Sequence, residues 1–292
     1  MDKNKQKFLL YLIILPAFLI FLIFIIVPFI SGLFISFTSW SGFNEIKFAG
    51  FKNFIEFFTN KNAYSALGRT LWLTFVIVIF QNITALFFAV ILEKKIKGKD
   101  LFKVIFFVPV MLSSIVVGYM WSFIFDPMNG LFNKLFTFFN LSELAKINLL
   151  GNPKLALYTI IFTLLWQYTG YTMVIYIAGL SNVPPELNEA GYIDGTNNWQ
   201  NFKYITFPVI APAVTINILI SVIGALKLFD QIYVMTGGGP GRTTESLTLL
   251  IYKEGFGASR LGFGTASSTI LFILVLIISL ILLTYLRRRE IY

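Results

Sequence analysis

Glu189-Ala190-Gly191-Tyr192-Ile193-Asp194-Gly195, running on to Ile205-Thr206-Phe207-Pro208, is a polar stretch held between two long apolar runs. It reads as helix–turn–helix. Pro184 and Pro185 suit the first turn of a helix, where a missing N–H costs little. Glu186 and Glu189 lie near the start of that helix, where carboxylates are favoured. Gly195 permits a backbone turn that a side chain would resist. Residues 203–207 read as a second short helix, and Pro208 opens the next apolar run. A short, rigid element between two membrane-crossing helices can be pushed by a partner in the water phase.

The rest of the chain supports such a setting. Of its 292 residues, 57% are hydrophobic, 17% aromatic and only 13% charged, and the mean hydropathy is +0.78. A soluble domain of this size carries about a quarter charged residues, so the composition predicts an all-α polytopic membrane protein. Cysteine is absent, which excludes a disulfide framework and thiol chemistry. Histidine is absent too, which removes the commonest acid–base group and metal ligand. A net charge of +9 raises nucleic acid as a partner. In a chain this apolar it is better explained by lysines at the cytoplasmic membrane face, so no nucleic acid is expected.

Taken in order, a basic head over residues 1–7 precedes a first apolar run, 8–37, long enough to span at ~20 residues per crossing. Further spans are expected over 70–92, 104–125, 154–180, 208–235 and 265–286, each apolar and separated by polar segments. The segments 39–69, 126–153 and 236–264 fall on one side. On the other lie the head, the stretch holding Lys94, Lys95, Lys97, Lys99 and Lys103, the polar element above, and the tail with Arg287, Arg288 and Arg289. The densest basic clusters share that second side, so the positive-inside rule predicts six transmembrane helices with both termini cytoplasmic. The protein is thus expected in the cell membrane as a multi-pass chain, its direct surroundings being the lipid bilayer.

The motifs exclude most chemistry. No Cys or His is present for a nucleophile–base pair, and the acids show no metal-ligand spacing, so neither catalysis nor a metal or cofactor is expected. Gly237-Gly238-Gly239-Pro240-Gly241-Arg242-Thr243 tempts a phosphate-loop reading. That loop needs Gly, four residues, then Gly-Lys-Ser/Thr after a strand; here Arg242 replaces Lys and a membrane helix precedes it. Gln81 and Asn82, inside the second span, are amides of the kind that hydrogen-bond between helices. Lys227 and Asp230 are the charges placed within a span. Three apart on a helix, they share a face, and a charge at bilayer depth costs roughly 3 kcal/mol on insertion scales. Two readings fit: they line a solute path, or they form an ion pair that fixes packing.

Glu-Ala-Gly, three residues, Gly, nine residues, Ile-x-Phe-Pro resembles the EAA loop of the permease subunits of binding-protein-dependent ABC importers, usually Glu-Ala-Ala, three, Gly, nine, Ile-x-Leu-Pro. Gly191 and Phe207 are the departures. The run from Leu226 to Gly241 also resembles the fifth-helix signature of the sugar-type branch, the maltose and glycerol-phosphate permeases. The resemblance implies a single type I permease domain over 1–292, with a core at 70–287 and a coupling loop at 181–207. It implies a subunit, not an enzyme, that moves a sugar or oligosaccharide by alternating access. A separate cytoplasmic ATPase dimer, a second homologous permease and an extracytoplasmic solute-binding protein are the implied partners. Glu189, Ala190, Gly191, Asp194, Gly195, Ile205 and Pro208 would form the ATPase-coupling element. Sugars present apolar C–H faces and hydroxyl rims, which an apolar pocket with a few placed polar groups suits. Ser114, Tyr119, Trp166, Gln167, Tyr168, Tyr171, Lys227 and Asp230 are therefore the candidate solute path. In the maltose-type relatives, solute contacts come from the helices equivalent to spans three to five. The positions matching theirs are Val110, Ser114, Leu164, Tyr168, Tyr171, Ala225 and Leu228. A secondary transporter or channel that works without ATP remains the alternative; a membrane enzyme or scaffold has less support in the residues.

Overall fold

The computed structural model describes residues 13–93 and 97–290. The basic head 1–7, and Lys94 and Lys95 of the lysine cluster, lie outside the described residues. Among those described, helix is the only extended secondary structure, with one isolated bridge between Thr38 and Phe48. Four helices are long and apolar enough to cross a membrane, and six crossings result if each of two bent pairs counts as one. That agrees by length and composition with the six expected runs. The chain divides into two compact units, Met1–Tyr64 with Leu250–Phe272, and Ser65–Leu249 with Ile273–Tyr292.

The first unit begins with α1 (Ile13–Ser36), most of whose residues are exposed. A helix apolar on every face and exposed on every face belongs in hydrocarbon. Within residues expected as an external loop, α2 (Lys52–Thr59) forms. Asn53, buried, donates from Nδ2 to the carbonyls of Ser36 and Thr38 at 2.9 and 2.8 Å, satisfying the carbonyls that the end of α1 leaves open. Arg260 donates to Glu56 and, at 3.1 Å, to Glu254. Burial alone would lower its guanidinium, but the hydrogen bonds and charges of Glu56 and Glu254 outweigh that and hold it above its ordinary value.

The second span starts earlier than expected. Helix α3 runs Lys61–Glu93, so residues 61–69 are helix and not loop. Asn60 accounts for the difference: its Oδ1 accepts from the backbone of Asn62 at 2.9 Å and Ala63 at 3.3 Å, capping the first turn. The third span is not one helix. Helix α4 (Lys99–Met111) and α5 (Ser114–Ile124) meet at 100°. Pro109 sits in the last turn of α4, and Leu112 leaves it with extended backbone. The second expected loop carries α6 (Leu131–Phe138) and α7 (Ser142–Ala145), and the fourth span is α8 (Ala156–Ser181).

After α8 come α9 (Pro185–Ile193) and α10 (Asn198–Val209, with a π-helical stretch at Phe202–Thr206). The fifth span, α11 (Ala211–Leu226), leaves α10 at 71°. Pro208 therefore lies in the last turn of α10 and does not open the span. The span also ends early: Lys227 terminates α11, and Asp230 begins α12 (Asp230–Thr236) after a break. Lys227 and Asp230 do not share a helix face, and no ion pair joins them among the described residues. The carbonyl of Leu228, released at the break, accepts from Ser246 Oγ at 2.9 Å and from Thr248 Oγ1. Helices α13 (Leu247–Tyr252) and α14 (Leu261–Arg287) complete the chain.

Two apolar clusters build the second unit. Leu73, Ile77, Val117, Trp121, Ile160, Leu164 and Ile232 join α3, α5, α8 and α12. Ala85, Ala89, Met173, Tyr176, Leu180 and Ala213 join the later turns of α3 and α8 to the start of α11. Small residues admit close helix contact, as expected where lipid gives no hydrophobic drive between helices. At Gly170 a Cβ would come within 1.7 Å of the carbonyl oxygen of Phe106, so α4 can reach α8 only because that position is glycine.

Candidate functional site

Helices α9 and α10 are locked into one body. Pro184 and Pro185 occupy the N-cap and first turn of α9, with Glu186 in that turn, as the sequence predicts. Asp194 closes the helix, and Gly195 follows at φ +83°, a conformation that favours glycine. The second helix begins at Asn198, five residues before the expected start. A capping box sets it there: Asn197 Oδ1 accepts from Gln200 N, and Gln200 Oε1 accepts from Asn197 N, both at 2.9 Å.

The Tyr192 hydroxyl donates to Asn198 Oδ1 at 3.1 Å across the exposed side of the two helices, and three further contacts tie them. Asn201 Nδ2 donates to the carbonyl of Asn188 at 3.2 Å, and Thr206 Oγ1 donates to Asn188 Oδ1 at 3.2 Å. Gly191 is buried, and a Cβ there would sit 2.4 Å from Ile205 Cδ1. The departure from the usual Ala at 191 thus brings Ile205 close against α9. Glu189, Ala190 and Asp194 face outward with Tyr192, Trp199 and Tyr204. Ile193 is 86% exposed and Trp199 69%. Large apolar side chains this exposed on a polar element mark a contact surface. Of the residues expected to couple to an ATPase, Gly191 and Ile205 form the internal seam, Glu189, Ala190 and Asp194 the outer face, and Pro208 the last turn before the bend.

The interior holds a second constellation. Gln167 is 1% exposed. Its Nε2 donates to the Leu112 carbonyl at 3.1 Å, satisfying backbone at the α4–α5 break, while its Oε1 accepts from Gln231 Nε2 at 2.8 Å. Ser114 and Tyr168 share a hydroxyl hydrogen bond of 3.0 Å, and Gln231 Nε2 lies 3.4 Å from the Tyr168 hydroxyl. Ser114, Gln167 and Tyr168 are therefore brought together, joined by Gln231. Trp166 instead packs its ring edge-on to Trp121 at 5.3 Å. Tyr119, Tyr171 and Lys227 point outward from this cluster and Asp230 is half-buried; they do not join it.

Deeper along the same helices, a polar layer separates the two apolar clusters. Gln81 Nε2 donates to Thr172 Oγ1 at 2.7 Å, and the Tyr176 hydroxyl to Asn82 Oδ1 at 2.7 Å. Asn82 Nδ2 donates to Ser221 Oγ at 3.3 Å, and Asn217 Nδ2 to the Thr172 carbonyl at 3.2 Å. The expectation that Gln81 and Asn82 bond between helices holds. Thr172 belongs to the polar run 166–172 that stands out within the fourth span, whereas Tyr176, Asn217 and Ser221 carry no such signal, although the four-residue spacings of 172/176 and 217/221 place each pair on one helix face.

A family model described as the binding-protein-dependent transport system inner membrane component matches residues 81–292. A probable starch degradation products transport system permease protein, AmyD of Thermoanaerobacterium thermosulfurigenes, is 33% identical over 96% of this chain and 94% of its own. The trehalose/maltose transport system permease protein MalF of Thermococcus litoralis is 32% identical over 96% and 94%. Among solved structures, a bacterial ABC transporter involved in import of the acidic polysaccharide alginate superposes with a TM-score of 0.85 at 24% identity, covering 97% of this chain and 96% of that one. A second structure of an alginate ABC transporter, in complex with a pentasaccharide-bound periplasmic protein, gives the same TM-score of 0.85 at 23% identity and covers the same shares, 97% and 96%.

Proposed function

The chain belongs to the family of inner membrane components of binding-protein-dependent transport systems, and on that premise we propose that it is one of two permease subunits of an ABC importer for a sugar or oligosaccharide. Family members are transport subunits, with ATP hydrolysis on a separate subunit. The sugar class is supported by relatives named for starch degradation products and for trehalose and maltose. The partners would be a second permease, a cytoplasmic ATPase dimer and an extracytoplasmic solute-binding protein, in the cell membrane with both termini cytoplasmic.

The locked α9–α10 body carries the reading. A force on its outer face at Glu189, Ala190, Asp194 and Ile193 moves both helices together, because Asn188 and Ile205 couple them. The 71° bend before Ala211 then turns that displacement into rotation of α11. Helix α11 donates Asn217 and Ser221 to the polar layer, so rotation is felt where α3 and α8 meet it. This is the structural content of alternating access: one bistable set of contacts biased by closure of the ATPases. The solute would pass Ser114 and Tyr168, with Tyr119, Trp166, Tyr171, Lys227 and Asp230 flanking. Gln167 and Gln231 hold the broken backbone in place behind them.

Glu189→Lys tests the reading. It should lower solute uptake by at least tenfold and release the ATPase on purification, with the membrane level of the chain unchanged. Uptake at the wild-type rate would remove the coupling role.

A further inference from the structure

At the opposite end of α8 from the coupling element, Gly68, Arg69, Trp72, Lys154, Tyr158 and Thr243 line a cavity of about 370 Å³. No carboxylate is among its lining residues. Arg69 donates from Nε to the Glu245 carbonyl at 3.0 Å, which fixes the guanidinium at the rim. The Glu245 side chain, whose charge acts on Arg69, is engaged by Arg242 at 3.7 Å. The terminal nitrogens of Arg69 and the ammonium of Lys154 make no hydrogen bond or ion pair to other described residues. The Trp72 and Tyr158 rings meet edge to face at 5.7 Å and 86°, and both remain substantially exposed.

Position decides what anion fits. Arg69 and Trp72 lie where α3 enters its apolar stretch, and Lys154 lies just before α8. Trp and Tyr gather at the membrane–water boundary, which on the topology proposed above is the outer one here, and the phosphate of a lipid headgroup lies at that depth within reach of both cations. From Trp72 an exposed apolar face continues along α3 through Phe75 and Ile79, and from Tyr158 along α8 through Phe162. A sugar would need acceptors for its hydroxyls, and the cavity offers mainly donors. A phosphodiester with two acyl chains matches both the cations and the apolar faces below them. We propose that this cavity binds the headgroup of an anionic phospholipid, with its chains lying on α3 and α8. The inference rests on reading α3 and α8 as membrane spans and does not depend on the solute.

The test is quenching of Trp72 emission by brominated lipid in vesicles of the assembled transporter, the Trp72 share being obtained by difference from Trp72→Phe. A minor fraction of brominated phosphatidylglycerol in phosphatidylcholine should quench that share several-fold more than the same fraction of brominated phosphatidylcholine. Each cation should contribute roughly fivefold to the preference. Lys154→Gln, exposed and without a structural bond from its side chain, should reduce the preference by that factor, and Arg69→Gln with Lys154→Gln should abolish it. Equal quenching by both lipids would overturn the proposal, while strong quenching of the Trp72 share by both would still uphold α3 as a membrane span. Displacement of the anionic lipid by millimolar inorganic phosphate, or by an acidic oligosaccharide, would also overturn it in favour of a soluble anion.

Discussion

Gly170 shows how a single position controls helix contact in this chain. Its missing Cβ lets the Phe106 carbonyl approach α8, and a methyl there would overlap backbone that cannot rotate away. Gly170→Ala should therefore cost about 3 kcal/mol or more, seen as a large fall in the thermal midpoint of the purified protein and in its membrane level. Tyr176→Phe removes one hydrogen bond of the polar layer, to Asn82 at 2.7 Å. Such bonds between membrane helices average about 0.6 kcal/mol, so the midpoint should fall only slightly. A Tyr176→Phe loss as large as that of Gly170→Ala would mean that the layer, not backbone approach, holds α8 in place. These residues differ in how far the sequence marks them. Gln81 and Asn82 stood out as adjacent amides in an apolar run. Asn217 and Gln231 did not, because one polar residue in a span carries no sign of the partner that satisfies it.

Elements were legible where their ends carry local signals. Pro184, Pro185 and Gly195 bracket α9 in sequence, and the structure puts that helix between them. The start of α10 was missed because its signal, Asn197 with Gln200, is a side-chain capping box and not Pro or Gly. The breaks within the third and fifth spans were missed for a different reason. They are stabilised by distant side chains, Gln167 at Leu112 and Ser246 at Leu228, and the charges Lys227 and Asp230 that flank the second break fit a shared face of one unbroken helix equally well by spacing alone. The seam between α9 and α10 gives a prediction at this scale. Asn188→Ala removes the acceptor for Thr206 and leaves the Asn188 carbonyl bond to Asn201 intact. Transport per ATP hydrolysed should fall severalfold, with the ATPase still bound, because the contact surface survives while its stiffness does not. Unchanged coupling in a direct assay of uptake against hydrolysis would show that the two helices need not move as one.

For the whole molecule, an all-helical chain with several apolar helices was legible from composition, whereas which polar residues gather inside it was not. Candidate residues in the spans separate into an internal cluster, Ser114, Gln167 and Tyr168, and outward-facing positions such as Tyr119 and Tyr171. Aromatic and amide residues look alike in sequence whether they face lipid, a partner or a cavity. Orientation is testable because the chain has no cysteine. A cysteine introduced at Lys154 should react with an impermeant maleimide from outside the cell, and one at Ile193 should react only after the membrane is opened. The reverse pattern would invert the topology.

The most direct test is photo-crosslinking from Ile193, which stands 86% exposed on the outer face of the coupling element. With a photoreactive residue at that position in cells carrying the full transporter, the account predicts an adduct to an ATP-hydrolysing protein whose yield changes when ATP is trapped. An adduct that contains no such protein, or that forms only with partners outside the cell, would contradict it.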